Sequence, residues 1–407
     1  MATALEQLKQ RLTDAAYLSS ATALVSWEQQ TYMPEGGAET RAGHLSTLAR
    51  IEHEMFTSDE TGRLLENAAK ELNGASYDSP DASLIRVTRR DYELRTKLPA
   101  ALVGELNHHY AIAHSIWAKA RANNDYKSFV PALKKMVDLM VQVAEALGYT
   151  DHIYDALLDQ YEPGMKTADV AAMFAGLKND LVPLVAAIKE RQDRVDDSVL
   201  HRPYDIQKQN TFSEMVAKEF GFDFHRGRQD KAVHPFCQSL SPDDVRITTR
   251  FDPNFVNTAL FGTMHETGHA LYEQGAGGGK LHLRMSSGTS LGVHESQSRL
   301  WENIVGRSRG FWKKYYPLLQ QTFPEALSDV DLETFYRAIN KSQPSFIRVE
   351  ADEVTYNLHI MVRFEMETAL LTGKLTVEQA PEAWNAKYQE YLVITPDTDK
   401  IGILQDI

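Results

Sequence analysis

The chain has 407 residues, of which 43 are basic and 56 acidic, for a formal net charge of −13. A chain of this length can bury a large core, either as one helical body or as two or three domains. The acidic balance argues against a phosphate-tracking nucleic-acid groove and against binding to an anionic membrane surface.

The opening residues Met1-Ala2-Thr3-Ala4-Leu5-Glu6 lack the basic and apolar parts of a signal peptide. No uncharged apolar run approaches membrane-spanning length, so a cytoplasmic protein is expected. Leu8, Leu12, Ala15 and Leu18 recur at helical spacing, and the same pattern runs through 101–120 and 131–147. In the latter, Leu133, Met136, Leu139, Met140, Val143 and Leu147 form one apolar stripe, read as a core face. Further helices are predicted over 169–189, with Pro183 as a kink or break, and over 210–220. Turns fall at Pro34-Glu35-Gly36-Gly37, Ser79-Pro80-Asp81, Pro163-Gly164 and Pro203. Strand-like segments are few: 245–249 is the best and 281–285 the next. No linker or repeat stands out, which favours a single mainly α body over 1–407 with a small sheet edge.

The segment after Asp252-Pro253 carries the chemistry. An N-cap candidate followed by proline predicts a helix from Pro253 to about Glu273, ended by Gly275, Gly277, Gly278 and Gly279. Within it stands His265-Glu266-Thr267-Gly268-His269. Histidines four apart on a helix point the same way, one turn apart, and can share a tetrahedral ion. Glu266, displaced around the helix, can take a proton beside that ion and pass it to a leaving amine. Gly268 costs about 1 kcal/mol against alanine in a helix, and it lets a second segment approach closely. The one cysteine, Cys237, excludes an internal disulfide, so a metal here takes nitrogen and oxygen ligands.

Two histidines do not complete a catalytic zinc site. The segment Gly292 to Glu302 reads as a second helix, with Leu300, Trp301, Ile304 and Val305 facing inward. Glu295 on this helix is the candidate third ligand. His294, Glu273 and Glu302 are its rivals, and adjacent residues such as His294 and Glu295 point about 100° apart, so only one of them fits the ion.

Taken in order, several segments resemble the Taq-type metallocarboxypeptidases, the M32 peptidase family. They are Asp244-Val245-Arg246-Ile247-Thr248, the histidine motif, His294-Glu295-Ser296-Gln297, Ile347-Arg348-Val349-Glu350-Ala351-Asp352 and Gly402-Ile403-Leu404-Gln405-Asp406. Trp27-Glu28 before Met33-Pro34, Tyr154 to Leu158 and His234-Pro235-Phe236 resemble it too. The resemblance implies a large neurolysin-like helical fold with a deep groove and a small sheet near the metal. It implies His265, His269 and Glu295 as ligands of one divalent ion, usually Zn2+ with Co2+ as an alternative, and Glu266 as the catalytic acid/base. It also implies removal of C-terminal residues with broad preference, and a homodimer.

Selecting a chain end requires a cation to hold the terminal carboxylate, and arginine's planar fork suits that task. Arg348, Arg246, Arg250 and Arg284 are the candidates, and the resemblance favours Arg348. Its competing reading is an ion pair with Glu350 or Asp352. Arg246 reads as architectural beside Asp244. His234, His294 and Asp352 are further candidates for substrate contact or for support of the ligands. The expected partners are peptides with a free C-terminus, not nucleic acid or membrane. Two other readings are an internally cleaving metallo-oligopeptidase and an inactive helical scaffold. Two features depart from the family pattern. Glu28 stands where an aspartate is common. Gln405-Asp406-Ile407 breaks off where members continue with a histidine, a tryptophan and a further helical segment, so a C-terminal portion is expected beyond 407.

Overall fold

The computed structural model describes residues 2–276 and 282–407. Contacts group them into two compact units, each assembled from separated stretches: Met1–Thr96 with Asp197–Ile339, and Lys97–Asp196 with Asn340–Ile407.

The first unit opens with helix α1, Ala4–Thr31, capped by a reciprocal pair in which Thr3 accepts from the Glu6 amide and Glu6 accepts from the Thr3 amide. Leu8 and Leu12 pack against Phe56, Leu64, Leu65, Leu84 and Ile85. Helix α2 spans Ile206–Phe220, starting at Asp205, whose side chain accepts from the Lys208 amide. A three-stranded sheet follows: β1 Gly227–Lys231, β2 Cys237–Ser241 and β3 Asp244–Thr249, in the order β1-β3-β2. β1 runs parallel to β3 and β2 antiparallel to it. Val245 and Ile247 of β3 are fully buried and pack on Ala217, Phe222 and Ala270, which joins the sheet to α2 and to the helix that carries the histidine motif.

That helix, α3, spans Val256–Gly275. It begins three residues later than predicted. Asp252 accepts from the Asn254 amide and Pro253 accepts from the Tyr204 amide, so both serve a turn before the helix. Helix α4 covers Leu291–Arg299, with Ser290 as its N-cap, and continues into a π-helical turn at Leu300–Val305. The segment predicted as a strand over 281–285 is corrected. Leu281 and Gly277 to Gly279 lie outside the described residues, while Leu283–Met285 forms a 3-10 turn whose His282 ring accepts from the Arg284 amide. β1 and β2 escaped the hydrophobic pattern because Gly-Arg-Gln-Asp-Lys and Cys-Gln-Ser-Leu-Ser carry almost no apolar side chains.

The second unit is helical among its described residues. Ala100–Asn123, Tyr126–Leu147, Ile153–Leu158, Thr167–Lys189, Tyr356–Leu371 and Ala380–Leu392 surround a core built on Phe129, Leu133, Met361, Val362, Trp384 and Tyr388. The Thr167–Lys189 helix runs through Pro183 undivided. By length and composition it is the one described helix apolar enough to cross a membrane. Lys178 and Asp180 interrupt its apolar run, and Lys178 pairs with Glu390 at 2.6 Å. The mainly helical class with a small sheet is therefore as expected.

This unit also buries His359, which is 1 % exposed. Its Nδ1 lies 2.9 Å from the Tyr388 hydroxyl, and its Nε2 has no hydrogen-bond partner among the described residues. Burial pushes its pKa down to about 4, against the opposing pull of Asp406. A depressed histidine is neutral in the folded chain while the unfolded chain takes up a proton. The resulting stability is complete above pH ~6.5 and is lost as pH falls towards about 4. Urea unfolding of the parent and of His359→Phe should therefore diverge below pH ~6.5, the parent losing on the order of 3 kcal/mol more. Parallel pH profiles would remove His359 as the cause.

Candidate metal centre

His265 and His269 project from the same face of α3, with ring centroids 4.9 Å apart. α4 can lie against this face because α3 carries glycine there. A Cβ on Gly268 would stand 2.5 Å from the Gln297 carbonyl oxygen and 2.6 Å from the Ser298 Cα. The close approach expected of Gly268 is thus present. Gly306, just past the π turn, makes a second such contact, with Met264 Sδ at 2.5 Å from its would-be Cβ. Between these two points the helices bring Glu295 to the histidines. Its Oε2 lies 3.6 Å from His265 Nε2 and 3.5 Å from His269 Nε2. One ligand atom from each of the three residues falls within 4.8 Å of the others. Atoms ~2.0–2.2 Å from a shared tetrahedral ion lie roughly 3.3–3.6 Å from one another, and the two separations from Glu295 Oε2 fit a shared divalent cation.

Burial works against the Glu295 charge, but His269, His265 and Arg299 hold its carboxyl at about 2. It is therefore ionised, as a ligand must be. Glu266 behaves oppositely. It is 6 % exposed, and desolvation followed by the charges of Glu295 and Glu302 pushes it up to about 7, with His265 opposing. A cation beside it would act in the other direction. A carboxyl poised in this way can both take and return a proton near neutral pH. Cys237 on β2 is no competitor for the metal. Burial, then Glu266 and Glu273, keep its thiol protonated.

The two rival carboxylates stand behind rings. Glu302 Oε2 lies 2.7 Å from His265 Nδ1, the nitrogen turned away from Glu295. Glu273 Oε1 lies 2.7 Å from His294 Nε2, and His294 Nδ1 lies 2.6 Å from His269 Nδ1. The inward face predicted for the second helix is corrected in part: Val305 packs on the core and Trp301 against Phe220, but the other two positions face outward. Leu300 is 40 % and Ile304 65 % exposed, while Asn303 is buried. The π turn inserts one extra residue per turn and rotates the helix, which breaks the 3.6-residue pattern used to predict that face.

His234 is exposed in the connection between β1 and β2. Arg246 makes two 2.8 Å hydrogen bonds to Asp244 and covers the buried Trp27 ring at 4.3 Å, an architectural arrangement. Arg284 bonds Asp91 at 2.7 Å and lies over Phe56, and Arg250 is exposed. Arg348 and Asp352 belong to the second unit. Arg348 Nε donates to Asp406 Oδ2 at 2.7 Å and Nη1 to the Tyr356 hydroxyl at 2.8 Å, so its partners are neither Glu350 nor Asp352. Asp352 accepts from the Ser342 and Thr355 hydroxyls and from the Gln343, Val354 and Thr355 amides, which makes it the organiser of its own loop.

The sequence pattern of the family described as Carboxypeptidase Taq (M32) metallopeptidase matches residues 7–407. The chain is similar to Thermostable carboxypeptidase 1 of Thermus thermophilus, 43 % identical over 403 residues that cover 97 % of this chain and 79 % of that one. Carboxypeptidase 1 of Bacillus subtilis is 39 % identical over 392 residues, covering 96 % and 78 %. The crystal structure of M32 carboxypeptidase from Deinococcus radiodurans R1 superposes with a TM-score of 0.95 at 40 % identity, covering 99 % and 80 %. With its cluster of two histidines and one glutamate, the chain belongs to the M32, Taq-type family, and it is a metal-dependent carboxypeptidase that releases C-terminal residues.

Proposed function

We propose that His265, His269 and Glu295 hold a single Zn2+, that Glu266 is the general acid/base, and that Arg348 receives the carboxylate of a peptide's free C-terminus. The observation that carries the metal assignment is the pair of 3.5 and 3.6 Å separations from one carboxylate oxygen to two imidazole nitrogens, which match two edges expected of a tetrahedral site. A divalent cation bound there would supply Lewis acidity towards the peptide carbonyl and acidify a neighbouring water.

The rest is done by the chain's own groups. Glu266 accepts the water's proton at a carboxylate oxygen as the C–O bond forms, and returns it to the amine as the C–N bond breaks. Its side chain is 6 % exposed, which limits exchange of that proton with bulk water. On Arg348, Asp406 fixes Nε and Tyr356 holds Nη1. Among the described residues Nη2 has no hydrogen-bond partner, so its N–H groups remain to donate to a carboxylate.

Peptides with free and with amidated C-termini test this reading. At roughly 1.5–3 kcal/mol per charge-assisted hydrogen bond, Arg348→Ala should lower kcat/KM on free-carboxylate peptides about 10- to 150-fold. Its metal content should equal the parent's. An unchanged preference for the free carboxylate in Arg348→Ala would move the anchor elsewhere. Equal cleavage of both peptide classes by the parent would point to internal cleavage.

A further inference from the structure

Neither Glu273 nor Glu302 belongs to the His265, His269 and Glu295 cluster, yet Glu302 hydrogen-bonds the His265 ring and Glu273 reaches the His269 ring through His294. We propose that Glu302 directly, and Glu273 acting through His294, are positioning residues that hold the His265 and His269 rings with Nε2 turned towards Glu295. This rests on the ligand set proposed above and adds to it the groups that orient the set.

The direction of each hydrogen bond follows from what can donate. Glu273 is 3 % exposed, and its Oε1 accepts from the Gly288 amide at 2.9 Å and the Ser287 hydroxyl at 3.2 Å. This oxygen already accepts from two donors, so at the 2.7 Å contact it accepts again and the hydrogen sits on His294 Nε2. The other nitrogen of that ring, Nδ1, lies 2.6 Å from His269 Nδ1, and this contact holds His269 with its Nε2 on the Glu295 side, 3.5 Å from Oε2. The other ring needs one step: Glu302 Oε2 stands 2.7 Å from His265 Nδ1 and holds Nε2 towards Glu295. A ring that ligates an ion through Nε2 carries its hydrogen on Nδ1, where each of these partners stands to accept it.

The relay is a built feature. Glu273 follows His269 by four residues, so both rise from one face of α3. His294 enters between them because Gly288 has no side chain, and a Cβ there would stand 2.5 Å from His294 Cδ2. The Tyr272 ring packs on its other side at 5.1 Å. On the second branch, the π turn at Leu300–Val305 is the backbone irregularity from which Glu302 reaches His265. Because both ring nitrogens of His294 are engaged, its function is exercised on His269 and not on the peptide.

The test is zinc affinity, measured by competition between a chromophoric chelator and metal-free protein, with the visible spectrum of the Co2+-loaded protein as a second readout. Glu273→Gln is nearly isosteric and keeps an oxygen for the Gly288 amide, but it removes the negative charge behind His294. His294→Phe removes the acceptor, and Glu302→Gln does to His265 what Glu273→Gln does to His294. Each should weaken zinc binding about 10- to 100-fold and alter the Co2+ absorption, while thermal unfolding of the metal-free chain stays close to the parent's. Should His294→Phe fail to fold, Glu273→Gln alone carries the test. Parental zinc affinity in Glu273→Gln and Glu302→Gln, alongside loss of zinc in a His269→Ala control, overturns the relay. Parental affinity in His269→Ala itself overturns the ligand set beneath it.

Discussion

Replacing Glu266 with glutamine should leave the metal in place and remove most of the turnover. The amide has the carboxylate's shape but cannot take a proton from water or deliver one to the leaving amine. Positioned acid/base groups contribute about 10²- to 10⁴-fold, so kcat should fall by that factor. Zinc affinity should change little, because the proposed ligand cluster is His265, His269 and Glu295 and does not include Glu266. The side chain is 6 % exposed with carboxylates nearby, so glutamine also removes a buried charge without opening a cavity. Loss of folding is therefore not the expected route to inactivity. Metal content by elemental analysis and single-turnover peptide release separate the outcomes. Turnover and zinc lost in equal measure would show Glu266 to be part of the metal's support, and its role in proton transfer would have to be abandoned.

How much of this site could be read from the chain depended on whether the relevant geometry was local. His265 and His269 lie one helical turn apart, so their spacing alone predicts convergence, and they do converge. Glu295, thirty positions on, could be ranked above Glu273 and Glu302 only by chemistry and family resemblance. All three carboxylates do approach the histidine cluster. No sequence pattern distinguishes a carboxylate in front of an imidazole, at Nε2, from one behind it, at Nδ1. The π turn is invisible for a related reason. Leu300, Trp301, Ile304 and Val305 satisfy a helical period that the backbone then abandons. Strands β1 and β2 have mostly polar side chains, and backbone pairing to β3 defines them. The Arg348–Asp406 pair joins residues 58 apart, in a unit whose two chain segments are separated by the whole of 197–339.

Gly268→Ala should fold and yet bind zinc at least ~100-fold more weakly. Two effects oppose each other. Alanine in place of glycine inside a helix favours α3 by about 1 kcal/mol. The added methyl, however, would start 2.5 Å from the Gln297 carbonyl oxygen and 2.6 Å from the Ser298 Cα, where ordinary contact begins at 3.4 Å. Both neighbours are backbone atoms, so no rotamer change relieves the clash. α3 and α4 must part by about 0.8–0.9 Å, at a typical overpacking cost of ~1–3 kcal/mol. Net stability therefore shifts only modestly, and it is the less informative readout. Metal sites tolerate displacements of only about 0.2 Å in their ligand distances. Glu295 sits on the displaced helix two residues before Gln297, whereas His265 and His269 stay on α3. The expected result is a nearly parental thermal midpoint for the metal-free variant, a collapsed zinc affinity, and activity that recovers at high zinc concentration. Parental zinc affinity in Gly268→Ala would mean that α4 can move without carrying Glu295 out of place, and that the close helix contact is not what sets the third ligand.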